Sequence, residues 1–231
     1  MNYNLVIDAD SMVHTSHYRH QENRELAYAD FCCKLGNIQT AVYKQLDIQK
    51  SDTLNTEIVF TPKKLFRKEL TPTYKAKRPP RKPEISELLK LVYNRIGATV
   101  IPLMEADDIV ITRAYEKENV VIACIDKDVT DHSPVLTFNY NTWEWGRAYC
   151  QEEIEDNYWI QALMGDSGDG IKGAKGIGKE TAPKIVLDVF EPFTYEKYVS
   201  YFDSEEDAIL SMRLVRMDQY RNGELKLWQN H

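Results

Sequence analysis

The sequence predicts an α/β fold in which a central, mostly parallel sheet is flanked by helices. The first observation behind this prediction is a series of short apolar runs typical of buried strands, at residues 5–7, 58–60, 99–101 and 120–122. The second is that helical patterns separate these runs, as expected for strands joined by parallel connections. Together they predict an α/β core in the N-terminal part of the 231-residue chain.

The helical segments follow from spacing and from helix formers. Between the first two strand-like runs, apolar residues recur at helical spacing from Leu26 to Leu46, with one irregular step. Residues 105–117 combine good helix formers with no breaker. From about residue 151 the strand-like runs stop, and helices are predicted at 154–164, 184–189 and 208–217. We therefore expect an α/β core over 1–150 and a helical module over 151–231 packed on it.

A basic segment interrupts the core between the second and third strand-like runs. Residues 61–83 hold five of the nine prolines, and residues 63–82 hold nine Lys or Arg against the single acid Glu69. The prolines predict an irregular, exposed loop rather than a strand. In a chain with a net charge of −7, this one-sided charge indicates a surface for an anion, although a solvated charged loop is the alternative. We place this predicted basic arch at about residues 62–90.

Composition excludes several classes of protein. Hydrophobic residues make up 43% of the chain and charged residues 28%, so a packed core is expected. No apolar run approaches the roughly 20 residues of a membrane span, and the N-terminus lacks the pattern of a signal peptide. The four cysteines contain no CxxC pair, which argues against a zinc site or a disulfide framework. These features predict a cytoplasmic protein.

Carboxylates appear where the predicted strands end and in a glycine-rich stretch further on. In an open parallel sheet the ligand crevice lies beyond the carboxyl ends of the strands, so these groups should converge there. Any one of them alone could be a helix cap or a turn former. They are Asp8, Asp10, Glu105, Asp107, Asp108, Asp126, Asp128, Asp166 and Asp169.

Such a cluster of like charges needs cations, because each close pair of carboxylates repels by about a few kcal/mol at an intermediate dielectric constant. Oxygen ligands without His or Cys favour Mg²⁺ or Mn²⁺ over Zn²⁺. Two such ions about 4 Å apart would suit in-line attack on a phosphodiester, with one activating water and the other stabilising the leaving oxygen.

The glycine-rich stretch from residue 165 to 186 has two interpretations. Gly173, Gly178 and Lys179 almost match a P-loop, but Glu180 stands where Ser or Thr should bind Mg²⁺, so nucleotide binding is rejected. We prefer a hairpin between two helices, in which glycines bring the backbone close to a phosphate. Lysines of the hairpin would add sequence-independent attraction; they are Lys172, Lys175 and Lys179. Pro183 fits only in the first turn of the second helix. A purely structural glycine turn is the alternative.

With these pieces assembled, the chain resembles the flap-endonuclease family of 5'-nucleases, and in particular the short 5'-3' exonucleases encoded by bacteriophages. The motifs occur in family order and span about three quarters of the chain. They are Leu5-Val-Ile-Asp-Ala-Asp10, Phe66-Arg-Lys-Glu-Leu70, Tyr74-Lys-Ala-Lys-Arg78, Glu105-Ala-Asp-Asp108, Asp126-Lys-Asp128 and Gly165-Asp-Ser-Gly-Asp-Gly170.

The resemblance implies a PIN-like core and a set of site residues. It assigns metal binding to Asp8, Glu105, Asp107, Asp108, Asp126, Asp128, Asp166 and Asp169. It places Lys75 and Arg78 at the base of the arch, close to the scissile phosphate. It makes the glycine hairpin a helix–three-turn–helix that grips duplex DNA and holds K⁺ by backbone carbonyls. The implied DNA contacts are Lys172, Gly173, Lys175, Gly176, Gly178, Lys179, Tyr74 and Arg81.

The activity that the resemblance implies is divalent-metal-dependent hydrolysis at 5' ends of DNA during replication. Substrates would be a duplex with a 5' end, flap or gap, extending to RNA primers in an RNA–DNA hybrid, and we expect a monomer in the cytoplasm of a bacterial host. Two alternatives stay open: an inactive relative that only binds branched DNA, and a PIN-like RNA endonuclease.

The chain departs from the family pattern after the second predicted strand. Relatives present an Asp there, whereas this chain has Phe60-Thr61-Pro62. We expect one metal site to be weaker for that reason. The predicted arch is also short, which leaves the threading of a free 5' strand, and the balance of exonuclease and endonuclease action, open.

Overall fold

The main sheet of the computed structural model, which describes residues 1–21 and 23–230, is mostly parallel. Within these ranges five strands lie in the order β2-β1-β3-β4-β5. They are β1 (Asn2–Asp8), β2 (Thr53–Val59), β3 (Val120–Cys124), β4 (Thr137–Asn139) and β5 (Glu144–Gly146). Only the β4–β5 pairing is antiparallel. The predicted fold class is confirmed.

Helices cover both faces of the sheet. The N-terminal ones are α1 (Asp10–Arg19), α2 (Arg24–Gln45), α3 (Phe66–Leu70), α4 (Pro83–Ile96), α5 (Ala106–Glu116) and α6 (Lys127–Asp131). The C-terminal ones are α7 (Gln151–Met164), α8 (Ala182–Val186), α9 (Tyr195–Val199) and α10 (Glu205–Val215). Two short ribbons complete the chain, β6 (Gly165–Asp166) with β7 (Ile171–Lys172) and β8 (Tyr220–Arg221) with β9 (Glu224–Leu225). Among the described residues, each helix is too short or too polar to cross a bilayer.

Alternation along β1 divides the hydrophobic core in two. Leu5 and Ile7 point to the face that α1, α2 and α4 cover, whereas Val6 points to the face that α5 covers. The helices after residue 150 contribute their buried side chains to the same cluster as α5. The C-terminal helices therefore complete the core of the sheet, and the proposed division at residue 150 stays a prediction.

The predicted helices over 26–46, 105–117, 154–164 and 208–217 match α2, α5, α7 and α10 within a few residues. Asn23 begins α2, because its side chain accepts a hydrogen bond from the backbone N–H of Leu26 at 3.0 Å. The expectation that Leu26 belongs to the apolar face is wrong, since this side chain is exposed.

The third predicted strand, at residues 99–101, is wrong. This segment makes only an isolated parallel bridge from Thr99 to Val59. Pro102 follows and can donate no ladder hydrogen bond, and Leu103 has a positive φ of 70° that turns the chain. Pattern analysis also missed β4 and β5, which at three residues each are too short to show a period.

The basic segment is only partly the exposed, irregular loop that its prolines predict. Its first half contains α3, and Phe66, Arg67 and Tyr74 are buried. Its last residues begin α4 at Pro83, an imino acid suited to the first helical position. The longest exposed run of the predicted arch is residues 76–80, and Lys63, Lys64 and Lys68 are exposed as well.

Strand order sets the position of the crevice. β1 and β3 are neighbours, but the chain leaves β1 toward β2 on one side and leaves β3 toward β4 on the other, so their connections diverge at the carboxyl ends. A crevice forms at such a switch point in open α/β sheets. Residues that follow β1 and β3 therefore border the same opening.

Candidate active site

One large cleft, with a volume of about 1320 Å³, opens at the carboxyl edge of the sheet. Nearly all of the carboxylates that the sequence suggested as metal ligands line it. They are Asp8, Glu105, Asp107, Asp126, Asp128, Asp166 and Asp169. The structure therefore brings together acids that are up to 161 positions apart in the sequence, counted from Asp8 to Asp169.

Element ends position these acids. Asp8 is the last residue of β1, and Glu105 precedes the first turn of α5, which contains Asp107. Asp126 caps α6, since its side chain accepts the N–H of Asp128 at 2.8 Å. Asp166 ends β6, where its Oδ1 accepts the N–H of Gly168 at 2.7 Å. Each carboxylate is thus held by local backbone geometry as well as by the sheet.

Among the described residues, Asp8, Asp107 and Asp128 of the cleft make no ion pair with a Lys or Arg side chain, although the charge of Lys75 partly lowers the pKa of Asp107. Burial, together with the charges of Asp10 and Asp126, raises the pKa of Asp8 to about 7. Burial and the charges of Asp8 and Asp126 raise the pKa of Asp107 well above its ordinary value. For Asp128, burial and the charges of Asp126 and Asp166 raise the pKa to about 6. Repulsion among these acids thus favours the neutral, protonated forms of Asp8, Asp107 and Asp128.

Basic side chains balance the other part of the cleft. Lys75 contacts both Glu105 and Asp169, and Arg78 contacts Asp169. Burial by itself would raise the pKa of Glu105, but the charges of Arg67 and Lys75 outweigh it and lower the pKa. The two residues that the family resemblance places at the scissile phosphate are therefore paired with carboxylates in this structure.

The backbone of the basic segment docks on the glycine-rich loop. Lys75 has a positive φ of 50°, a conformation uncommon for a residue with a side chain, and its N–H donates to the carbonyl of Asp169 at 2.7 Å. Gly170, with a φ of 73°, lies so close that an added Cβ would meet the carbonyl oxygen of Thr73 at 2.3 Å. Only glycine permits this approach, which sets Lys75 beside the acids.

Asp108 is the predicted metal ligand that the cleft does not contain. Its carboxylate instead receives two hydrogen bonds from Arg67, at 2.6 and 2.8 Å. Glu105 has the extended conformation of a cap residue (φ −74°, ψ 160°) and lies outside the helix that contains Asp108, so the two side chains do not share a helix face. Asp107 points into the cleft and Asp108 into the protein.

Further basic residues of the predicted arch line the same cleft. Besides Lys75 and Arg78, these are Lys63, Arg67, Lys68, Arg81 and Lys90, of which Arg67 is buried. Tyr74, predicted to contact DNA, is instead 4% exposed, and its hydroxyl donates to Glu105 at 2.6 Å. Its observed role is to orient a carboxylate, because the ring has almost no surface left for a nucleic acid.

The predicted glycine hairpin lies between α7 and α8, and its part from residue 172 onward is outside the cleft lining. Lys175 and Lys179 are exposed, whereas Lys172 approaches Asp203 and Asp207 at 3.3 and 3.7 Å. Gly173 packs against backbone, since an added Cβ would meet the carbonyl carbon of Met164 at 2.3 Å. The remaining predicted residues, Gly176 and Gly178, face open space. Pro183 falls in the first turn of α8, as predicted.

A family model described as the N-terminal resolvase-like domain of 5'-3' exonucleases matches residues 3–158. The chain belongs to the 5'-3' exonuclease family. Two 5'-3' exonucleases from Buchnera aphidicola are 29% identical over 217 residues (subspecies Baizongia pistaciae) and 30% identical over 204 residues (subspecies Schizaphis graminum). The alignments cover 82% and 77% of this chain and 67% of each relative.

Solved structures give the same fold. A bacteriophage T5 5'-exonuclease with divalent metal ions (zinc) bound superposes with a TM-score of 0.66 at 19% identity, covering 95% of this chain and 91% of that one. The catalytic core of Rad2 with a DNA substrate reaches a TM-score of 0.53 at 14% identity, over 97% of this chain and 79% of that one. At these identities the likeness establishes the fold of this 5'-3' exonuclease family member.

The donor set fits a hard divalent cation in its chemistry, because most of the charged groups at Asp8, Asp107, Asp126 and Asp128 are carboxylates, whose oxygens such cations prefer. Over the described ranges, however, no group of three or more His, Cys, Asp or Glu is arranged so that it could hold a metal ion. Side chains would therefore have to move for a cation to bind, and contacts such as those of Lys75 would have to open.

Asp10 and Gln161 line the cleft but were not assigned a role in metal or DNA binding from the sequence, which placed Asp10 only among the converging acids. Asp10 lines the cleft and accepts the N–H of Thr61 at 3.3 Å. Its position two residues after Asp8 was a usable signal. Gln161 donates from Nε2 to Asp128 at 2.8 Å. No sequence pattern marks Gln161, since it is one polar residue on a long helix.

The raised pKa of Asp8 predicts how stability depends on pH in EDTA-treated protein. A carboxyl with a folded-state pKa above its unfolded value stabilises the fold at low pH, and this contribution is lost as pH rises from about 4 to about 7. A shift from 3.8 to about 7 corresponds to about 4 kcal/mol as an upper bound. We expect Asp8→Asn to raise the thermal midpoint more at pH 8 than at pH 5.

The measurement is thermal unfolding of wild type and Asp8→Asn in EDTA at both pH values. Comparing the two proteins cancels His14 and His132, whose lowered pKa values make stability rise with pH below about 6.5. An equal effect of the substitution at pH 5 and pH 8 would contradict the prediction.

Proposed function

We propose that this chain is a divalent-metal-dependent 5'-nuclease that hydrolyses phosphodiester bonds at or near the 5' ends of DNA. The observation that carries the proposal is one cleft lined by seven of the predicted metal-binding acids together with Lys75 and Arg78. Membership of the 5'-3' exonuclease family and the names of the Buchnera relatives support the same reaction. Exonuclease action, flap cleavage and removal of RNA primers all belong to this proposal.

The metal in the proposal is Mg²⁺ or Mn²⁺, two ions in all. One of the two ions would be bound by Asp8, Asp107 and Asp126, and the other by Asp128 and Asp166. These are the acids that repel one another. A bound divalent cation would supply Lewis acidity toward the phosphate and a lower pKa for water. The raised carboxyl pKa values support this assignment, because a cation would relieve the repulsion.

The basic side chains of the cleft would bind and orient the phosphodiester. Lys75 and Arg78 lie beside the carboxylates, where positioned cations can stabilise charge that develops on a transferring phosphoryl group. Lys63, Lys68, Arg81 and Lys90 extend this positive surface along the cleft. Screening of these contacts by salt would weaken DNA binding, despite the net charge of −7.

Duplex DNA would be held away from the cleft by the turn at residues 173–178. Exposed Lys175 and Lys179 and the open backbone at Gly176 and Gly178 support this role. The proposal includes a K⁺ ion held by backbone carbonyls of the same turn, which K⁺-specific enhancement of duplex binding over Na⁺ would test.

The competing proposal is an inactive relative that only binds branched DNA. Two points favour it: the chain has Phe60-Thr61-Pro62 where the family resemblance implies an acid, and the described acids are not arranged as a metal site. Incubation of the wild-type protein with a 5'-labelled flap duplex and Mg²⁺ decides between the two, since only the nuclease shortens the labelled strand.

Asp128→Asn should abolish cleavage while duplex binding remains near the wild-type level. Loss of one cation-binding carboxylate removes several kcal/mol of transition-state stabilisation, which corresponds to a fall of about 10³ or more in kcat. Single-turnover cleavage and a binding titration measure the two effects. The matched control is Asp131→Asn on the same helix, an acid outside the cleft lining that pairs with Lys127. Full cleavage by the Asp128 variant would remove the mechanism.

Lys75→Ala should lower kcat by about 10²–10³, the cost typical of one lost electrostatic contact to the transition state. The affinity for Mn²⁺ should be unchanged or higher, because Lys75 competes for Glu105 and Asp169. Cleavage assays and calorimetric titration with Mn²⁺ measure the two quantities. Lys77→Ala, an exposed lysine outside the cleft lining, is the control. A large fall in Mn²⁺ affinity would show that Lys75 supports the metal site instead.

Asp10 is proposed to replace the acid that relatives carry after the second strand. Its carboxylate reaches the N–H of Thr61, so it lies in space beside that position. Asp10→Asn should raise the Mg²⁺ concentration for half-maximal activity about tenfold or more, as for loss of a metal-binding contact. Asp10→Asn combined with Pro62→Asp should restore part of this loss. Half-saturation that stays at the wild-type value in Asp10→Asn would contradict the assignment.

A further inference from the structure

Arg67 has every N–H of its guanidinium engaged, although it takes no part in the proposed chemistry. Its Nε donates to the carbonyl of Leu214 at 2.8 Å, and its Nη2 donates to the carbonyl of Arg216 at 2.7 Å. The other three N–H groups donate to Asp108 and Glu105. The side chain is 3% exposed. Such complete pairing indicates a fixed orientation, because a guanidinium has only five donors.

Both oxygens of Asp108 are used inside the protein. Oδ1 accepts from Arg67 at 2.6 Å, and Oδ2 accepts from Arg67 at 2.8 Å and from the N–H of Glu105 at 2.9 Å. The residue is 1% exposed. A two-pronged pair of this kind fixes geometry as well as charge. Asp108 therefore holds both Arg67 and the backbone at the start of α5.

The fixed guanidinium in turn orients Glu105. Oε2 of Glu105 accepts from Arg67 at 2.9 Å and from the Tyr74 hydroxyl at 2.6 Å. Oε1 contacts Lys75 instead, and both Glu105 and Lys75 line the cleft. Oε2 of Glu105 is thus fixed by buried partners, and Oε1 faces Lys75 at the cleft.

We infer that Arg67 and Asp108 are a positioning pair that acts through Glu105, and that Asp108 is not itself a ligand for metal. This inference rests on the proposed function, because it assumes that Glu105 binds a divalent cation. Partners behind a metal ligand typically change metal affinity by about 10–100-fold when they are removed. Arg67 and Asp108 have the burial and the hydrogen bonds of such partners.

The C-terminal part of the chain supplies the remaining hydrogen-bond partners of Arg67. Leu214 lies in the last turn of α10 and Arg216 directly follows the helix, where carbonyls have no intrahelical partner. Arg67 satisfies both of these carbonyls. The orientation of Glu105 thus depends on residues well beyond residue 158, the last position that the family model matches.

A double-mutant cycle on Mn²⁺ affinity, measured by calorimetry without DNA, tests the inference. Arg67→Met should lower the affinity by about 10–100-fold. Asp108→Asn should also lower it, but should cost nothing more when Arg67→Met is already present. The amide oxygen of asparagine can still accept the N–H of Glu105, so the substitution acts through the contact with Arg67. The matched control is Asp107→Asn, whose loss should add fully to that of Arg67→Met because its carboxylate lines the cleft.

Arg67→Lys separates positioning from charge. Lysine restores the positive charge but cannot make the forked contacts to Asp108 and Glu105. We expect Arg67→Lys to bind Mn²⁺ as weakly as Arg67→Met within about threefold, a margin below the effects of second-sphere partners. Recovery of the wild-type affinity would overturn the positioning role. Circular dichroism and thermal unfolding in EDTA establish that each variant compared is folded.

Two failures remain distinguishable. If the wild type binds no Mn²⁺, the metal site of the proposed function is contradicted, and so is this inference. If the wild type binds Mn²⁺ and Asp108→Asn costs the same with and without Arg67, the inference alone is overturned.

Should Arg67→Met not fold, a crystal of the wild type soaked in Mn²⁺ gives the answer without any variant. Anomalous density within about 2.5 Å of an Asp108 oxygen, a coordination distance, would overturn the inference. Metal on Glu105, with Asp108 still paired to Arg67, would support it.

Discussion

Mutual repulsion among carboxylates at the carboxyl edge of the sheet is the constraint around which the structure is organised. β1 and β3 end side by side, so Asp8 and Asp126 lie close together, and α5 brings Asp107 to the same place. A fold that minimised its own energy would place these charges apart. Retaining them is typical of functional sites, where groups with shifted pKa values cluster. The carboxylates of the cleft therefore destabilise the folded protein, and a functional role explains why they lie together.

The counter-charges come from a segment that lies between strands in the sequence but reaches the same edge. Lys75 and Arg78 balance the outer acids, and Arg67 balances the inner ones. The outer pairs lie in an open cleft, where substrate or cation can exchange with them. The inner pairs are buried, and separating a buried ion pair leaves a costly uncompensated charge. The basic segment thus supplies two kinds of ion pair: those of Lys75 and Arg78 at the open cleft, and those of Arg67 inside the protein.

Backbone contacts keep this arrangement in register. Gly170 and Thr73 pack directly, Lys75 adopts a left-handed conformation, and Arg67 satisfies the end of α10. Each contact joins the N-terminal sheet to residues after 150, so the C-terminal helices support the site as well as the core. The family model ends at residue 158, but the physical unit that orients the acids does not.

The α/β class, the long helices and the acids near strand ends followed from the amino-acid sequence, because period and spacing are local properties. Residues 99–101 misled the prediction, since a single bridge and Pro102 replace the strand. The burial of Tyr74 and Arg67 could not be predicted from the sequence, because they lie in a segment rich in charged residues. Only the tertiary structure separated Asp107 from Asp108, because the start of α5 and the guanidinium of Arg67 decide which of two adjacent carboxylates faces the cleft. Local pattern places an acid at an element end, and long-range packing decides its orientation.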